Sequence, residues 1–199
     1  MRGFYERHGH EPAWLSDDEL HSEAERLVSA LEASAAEGLH PEEYGATALR
    51  QRIEEFDEDS EARFALDVDL TRAFFAHASD LLHGRVPPQA MRAHWKTTRS
   101  ADLPTVLDRA LTETGVEEEL SALRPAHKGY SSLRDALQRY REIHAAGRWP
   151  AVPGGERLEP GATDARRLAP LRQRLTREEF LPESNASGAP RLTVASARS

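Results

Sequence analysis

The chain has no cysteine, which excludes disulfides, thiolate metal sites and a thiol nucleophile. That absence leaves the compartment open. Only two of the 26 basic residues are lysines, Lys96 and Lys128, and alanine is abundant, so the arginine bias reads as the codon usage of a GC-rich genome. No apolar run approaches the roughly 20 residues of a membrane helix. The opening Met1-Arg-Gly-Phe-Tyr-Glu-Arg-His8 lacks the apolar stretch of a secretory signal, so the chain as written is expected to carry no export address. There is no G-x-S-x-G elbow, S-x-x-K pair or phosphate loop. Of nine histidines only His8 and His10 are close in sequence, without H-E-x-x-H or a carboxylate at helical spacing, and no metal or cofactor is expected.

What is present suits a soluble globular protein. At 199 residues, 39% hydrophobic and 30% charged, the chain is long enough for one full domain and a smaller appendage, with enough apolar residues to offset the entropy of ordering. Its net charge of −8 is uneven: residues 1–100 hold 20 acids against 11 bases, and 101–199 hold 14 against 15. The first half should therefore repel nucleic acid. The run Glu54-Glu-Phe-Asp-Glu-Asp-Ser-Glu61 lacks the glycine spacing of a calcium loop and reads as a solvated linker between helices.

Periodicity points to helices throughout. Ser16 and Glu19 form an S-x-x-E capping box ahead of Leu20, Ala24, Leu27 and Leu31, and that helix should stop near Gly38. Leu49, Ile53 and Phe56 mark a second. Between Ser60 and His83 the set Ala62, Leu66, Leu70, Phe74, Ala78 and Leu82 recurs every four residues, broadened by Val68, Phe75 and Leu81. This predicts the central helix, ended by Gly84 with Pro87-Pro88 beyond. His77 and His83, six apart, point to different faces, each a surface or packed histidine. Asp102-Leu-Pro104 opens a helix through Val106, Leu107, Ala110 and Leu111 that Gly115 closes. Val116, Leu120 and Leu123 belong to the next, and Tyr130, Leu133, Leu137 and Tyr140 to one after Pro125. Gly147 to Gly155 is too rich in Pro and Gly for regular structure and marks a boundary. Leu168, Leu171 and Leu175 suggest one further helix. No strand pair is expected, and residues from 183 onward read as a disordered tail.

The chemistry offered by these residues is plain. Carboxylates are plentiful enough that a glycosidase-type pair is conceivable, but they read first as solvated helix faces. Arg166, Arg167, Arg172, Arg174 and Arg177, lacking interleaved aromatics, read as the polar face of a short helix. Phe4, Tyr5, Trp14, Tyr44, Tyr130, Tyr140 and Trp149 sit near helix starts and in loops, where such residues wedge loops onto a core.

Those loop positions carry a further pattern. Phe4-Tyr-Glu-Arg7 with Pro12-Ala-Trp-Leu15, Gly38-Leu-His-Pro-Glu-Glu-Tyr44, Leu66-Asp-Val-Asp-Leu-Thr71 and Leu82-His-Gly-Arg-Val-Pro87 resemble the scaffold domain of the larger bacterial murein L,D-transpeptidases. Leu123-Arg-Pro-Ala-His-Lys-Gly-Tyr-Ser-Ser-Leu-Arg134, Tyr140-Arg141 and Gly147-Arg-Trp-Pro-Ala-Val-Pro153 are similar to the stretch that closes it. Leu158-Glu-Pro-Gly-Ala-Thr-Asp164, with the leucines after it, resembles the opening of a peptidoglycan-binding module. In the family a catalytic domain follows, with a histidine and a Ser-x-Gly-Cys nucleophile, whereas here the sequence runs into Ser187-Gly-Ala-Pro-Arg-Leu-Thr-Val194.

The resemblance implies a mainly α fold, an irregular bundle of about six helices with a short, incomplete C-terminal helical segment. Its divisions would be a scaffold-like domain over 1–155, a truncated peptidoglycan-binding-like segment over 156–182 and the tail at 183–199. Phe4, Tyr5, Pro12, Trp14, Leu15, Gly38, Leu39, Pro41, Tyr44, Gly84, Arg85, Pro125, Tyr130, Leu133, Arg134, Trp149, Pro150, Pro160 and Gly161 carry it and are expected to be structural. The intact relative would join cell-wall peptide stems through an acyl-enzyme thioester. Without that cysteine this chain is expected to be non-catalytic, a scaffold portion of a wall cross-linking protein. Peptidoglycan or a separate catalytic domain would be its partner, in the cell envelope by resemblance or in the cytoplasm if the start is genuine. The alternatives are a helical protein-interaction module with no wall function and a hydrolase using carboxylates.

Overall fold

The computed structural model describes residues 1–16, 19–56, 60–86, 99–161 and 163–182. The expected tail, Pro87-Pro88 and the middle of the acid run lie outside them. The chain forms two units, Met1–Arg134 and Asp135–Ser199. It is mainly α, with eight α-helices among the described residues: α1 (Arg2–Arg7), α2 (Ser22–Ala33), α3 (Ala46–Glu54), α4 (Ser60–His83), α5 (Leu103–Thr112), α6 (Val116–Ala122), α7 (Lys128–Ala145) and α8 (Ala165–Arg177).

The start of α2 corrects the sequence reading. Ser16 and Glu19 do not form a capping box; they pair across a two-residue antiparallel ladder, β1 (Leu15–Ser16) with β2 (Glu19–Leu20). The N-cap is His21, whose Nδ1 accepts from the Glu23 N–H at 3.2 Å. An imidazole lone pair thus does what a hydroxyl does at most helix starts. The expectation of no strand pair is corrected by the same ladder, too short to leave an alternating pattern. Helix α1 also went unexpected, because Phe4 is its one buried residue and a single position has no period.

In the first unit α4 is the axis. It packs against α2, α3 and α5 and buries Leu66, Leu70, Phe74, Ala78, Leu81 and Leu82, while Ala62 at its start stays exposed. Gly84, at φ 77°, reverses the chain after it, a conformation only glycine adopts without strain. Around α4 lie Ala24, Leu27, Val28 and Leu31 of α2, Leu49 and Ile53 of α3, Val106, Leu107 and Ala110 of α5, and Val116, Leu120 and Leu123 in and after α6. Asp102 occupies the N-cap position of α5, though its carboxylate accepts from the Thr105 hydroxyl instead of a backbone N–H. The first N–H of α6 is satisfied from a distance: Val116 N–H donates to the Glu23 carboxylate at 2.7 Å. Arg109 grips Glu119 with two hydrogen bonds, at 3.1 and 2.6 Å.

The second unit holds the rest of α7 and all of α8. Leu168 is buried, Leu171 and Leu175 are half-buried, and Phe180 is 74% exposed. Asp164 caps α8 through the Arg167 N–H. Arg167 reaches back to the Pro153 carbonyl at 3.1 Å and the Glu156 carbonyl at 2.5 Å, fastening the Pro/Gly-rich stretch to this helix. The first unit ends within α7, upstream of that stretch.

The N-terminal segment is held on α4 by one buried carboxylate, Asp67, which has no basic partner among the described residues. It accepts from the Ala13 and Trp14 N–H groups at 2.8 and 2.7 Å and from the Tyr5 hydroxyl at 2.5 Å. Truncating it leaves those donors without their acceptor in the core. Asp67→Ala is expected to destabilise the fold by about 3 kcal/mol, read as a lower urea midpoint with an unchanged slope, and Asp67→Asn, which keeps an acceptor, by less.

Candidate functional site

Two polar centres are built into the first unit, both on α4. The first is the clasp around Asp67 and Thr71, four residues apart. The Trp14 indole donates to Thr71 Oγ1 at 2.9 Å, and the Tyr5 and Thr71 hydroxyls lie 2.8 Å apart. Burial, followed by the bond to Asp67, pushes the Tyr5 phenol well above its ordinary range. Phe4 stacks on His8 and meets Tyr5 and Phe75 edge to face, Pro12 is half-buried beside the clasp and Leu15 lies in β1. Every polar atom named in the clasp has a partner, which suits a structural joint.

The second centre borders a cleft of about 660 Å³, within the range of ligand pockets. Three chain reversals meet there: Gly38 after the 3₁₀ turn Ser34–Glu37, Gly84 after α4, and Pro125 after α6. Leu39, Leu81, Leu82, Val86 and Tyr130 supply apolar walls, and Glu37, Asp80, Arg85 and Arg99 the charges. Arg99 clamps two helix ends. Its guanidinium donates to the Leu81 and Leu82 carbonyls of α4 at 3.4 and 3.3 Å and to the Leu123 and Arg124 carbonyls at 2.7 and 3.2 Å. A cation is favourable there because the last carbonyls of a helix are unpaired and carry its negative dipole end.

Glu37, 3% exposed in its side chain, lies between Arg124 and Arg134. The Nε atoms approach to 2.8 and 2.9 Å, but their N–H bonds are not aimed at the oxygens, so these are ion pairs without aligned hydrogen bonds. The Tyr130 hydroxyl donates to the same carboxylate. Burial first, then that bond, raises the Tyr130 pKa to about 12. On the other side the Tyr44 hydroxyl donates to Asp80 at 2.7 Å, and Arg85 bridges Glu43 at 2.6 Å and Asp80 at 3.8 Å. Both cleft carboxylates are thus committed to neighbouring side chains, and neither is left as the free acid that a glycosidase pair requires.

Of the positions singled out in the sequence, Gly38, Leu39, Gly84, Arg85, Pro125 and Tyr130 line this one cleft, and Tyr44 and Arg134 reach it through Asp80 and Glu37. Pro41 opens the 3₁₀ turn that carries Tyr44. Leu133 does not join them: it is 72% exposed. In the second unit Trp149 lies 5.7 Å from the Tyr140 ring, Pro150 is half-buried, and Pro160 and Gly161 sit in an exposed turn. Sequence reasoning missed Asp80 and Arg99 and gave Asp67 and Thr71 no role beyond their place in the Leu66–Thr71 stretch. Asp67, Thr71 and Asp80 share α4, and polar residues on a helix read as solvated unless the whole helix is known to be enclosed.

Among the described residues no cluster of side chains is arranged to hold a metal ion, and no helix is long and apolar enough to cross a membrane. The first unit is thus a helical domain organised around paired charges and a cleft. The chain is a member of the family described as Scaffold domain, a non-catalytic domain, which its sequence matches over residues 1–137. The match, like the first unit, ends within α7. No curated protein and no solved structure matches the chain.

His77 is the packed histidine of the expected pair, 2% exposed, with Tyr44 edge-on at 5.0 Å and, among the described residues, no partner for Nδ1. His83 is on the surface. Burial, and then the positive charge of Arg124, lowers the His77 pKa from 6.5 to about 4, against weaker opposing pulls from Asp80 and Glu37. A histidine held neutral in the fold takes up its proton on unfolding, so its contribution is complete above pH 6.5 and falls away as the pH drops towards 4. Over that window His77 should account for a loss on the order of 3 kcal/mol. Urea titrations at several pH values should show a flatter pH dependence for His77→Phe, and an unchanged one would refute this account.

Proposed function

We propose that the chain is the non-catalytic scaffold portion of a murein L,D-transpeptidase-like protein, acting in cell-wall organisation at the cell envelope. The observation that carries this reading is the convergence on one cleft of positions by which the sequence resembles that family. Gly38 and Leu39, Gly84 and Arg85, Pro125, and Tyr130 come from separate stretches of the chain and line the same space. The match to the Scaffold domain family over residues 1–137 supports it. On this reading the first unit serves as a rigid body against which peptidoglycan or a catalytic domain is held. In the second unit Leu158 to Asp164 and α8 would be the opening of a murein-binding segment, with Pro160 and Gly161 forming its turn.

Rigidity is what such a role demands. The Arg99 clamp, the Glu37 ion pairs and the Tyr44–Asp80 bond are all buried or half-buried side-chain contacts between segments far apart in sequence. Such contacts lock helix ends and order the surface that a partner meets.

Sedimentation with purified murein sacculi tests the reading. The full chain is expected to pellet with sacculi and to stay in solution without them. A chain left wholly in the supernatant would count against wall binding and favour the helical protein-interaction module.

A further inference from the structure

The cleft has an apolar floor, formed by Leu39, Leu81, Leu82 and Pro125, and its volume suits a few residues of extended chain. Charge then selects among such chains. Residues 1–134 hold 26 acids against 15 lysines and arginines, so most of this unit repels an acidic partner. Around the cleft the balance among the described residues reverses: Arg85 and Arg99 line it and Arg124 and Arg134 pair with its Glu37, against Glu37, Asp80 and the neighbouring Glu43. Moreover, Glu37 is 3% exposed while Arg124 and Arg134 are 34% and 38% exposed, so solvent meets the cations and not the acid between them. Arg134 touches Glu37 through Nε, and among the described residues nothing accepts from its Nη atoms. That leaves a planar fork of donors, held at one end, of the shape a carboxylate accepts.

We propose that this cleft docks an acidic, extended peptide segment of a partner protein, with aliphatic side chains on the leucine floor and a carboxylate in the Arg134 fork. The proposal rests on the scaffold reading above and names the chemistry of what the scaffold holds. Arg85 supplies a second positive edge, its pair with Glu43 being exposed and exchangeable. Arg99, with both Nη atoms on carbonyls, contributes charge and shape but no free donor pair.

The test is anisotropy of two short labelled peptides on the full chain, one alternating alanine with glutamate and one alternating alanine with lysine. The acidic peptide is expected to bind, more weakly as salt rises, and the basic one to be refused. Arg134→Gln should weaken binding about tenfold, and Arg134→Lys should weaken it less. Because Arg134→Gln also relaxes the hold on Glu37, Arg85→Gln serves as the second variant. It leaves Glu37 untouched and should weaken binding severalfold at unchanged helicity, whereas Arg50→Gln, in a pair with Glu32 outside the cleft lining, should bind as the parent does. Equal binding of both peptides, equal binding by the Arg134 and Arg85 variants, or a polyphosphate that binds as tightly would each overturn the proposal. A chain that pellets with sacculi yet ignores the acidic peptide loses this inference alone, and one that binds the peptide but not sacculi loses the murein reading alone.

Discussion

Enclosing α4 along most of its length forces the rest of the first unit into place. A helix packed by α2, α3 and α5 must find partners for whatever polar side chains it carries inward. Asp67 and Thr71 find them in the N-terminal segment, which is why residues with little apolar pattern, Tyr5 and Ala13 to Trp14, are ordered against the core. Asp80 finds Tyr44 and Arg85. His77 has no partner for Nδ1 among the described residues and remains neutral instead. The polar residues of one helix thus account for both the clasp and one wall of the cleft.

The cleft follows from how the surrounding helices end. Three segments reverse direction at the same place, and each reversal leaves carbonyls without an intrahelical partner. One guanidinium, Arg99, takes up four of them, from the ends of α4 and α6. Leu39, Leu81 and Leu82 do not fill the space between the reversals, and among the described residues it is a cleft edged by charge. Charges in it hold one another: Glu37 with Arg124 and Arg134, Asp80 with Tyr44, Glu43 with Arg85. Such mutual commitment suits a surface that must keep one shape better than a site that must move protons.

The second unit is built on a smaller core. Leu168 is its deeply buried residue on α8, and Arg167 performs by hydrogen bonding to two carbonyls what apolar packing does in the first unit. Leu171 and Leu175 keep part of their surface in solvent, and Phe180 most of it.

Local pattern alone was enough for the regular helices. The i,i+4 recurrence from Leu66 to Leu82, with Gly84 after it, marked α4, and comparable spacings marked α3, α5, α6 and α8, because burial on one face leaves a period in the residues. The set that marked α7 is not its buried face, since Leu133 and Tyr140 are exposed and Ile143 is its buried residue. That these 199 residues carry no thiol needed no coordinates. Where a helix begins was less legible: His21 caps α2 in place of Ser16, since several polar side chains can accept from a free N–H and backbone direction chooses among them. Only tertiary structure decided that Asp67, Thr71 and His77 lie inside, that Arg99 bridges two helix ends, and that Gly38, Gly84, Pro125 and Tyr130 share one cleft. Those facts depend on contacts between residues tens of positions apart, and a contact of that kind leaves no period in the sequence for either partner to reveal.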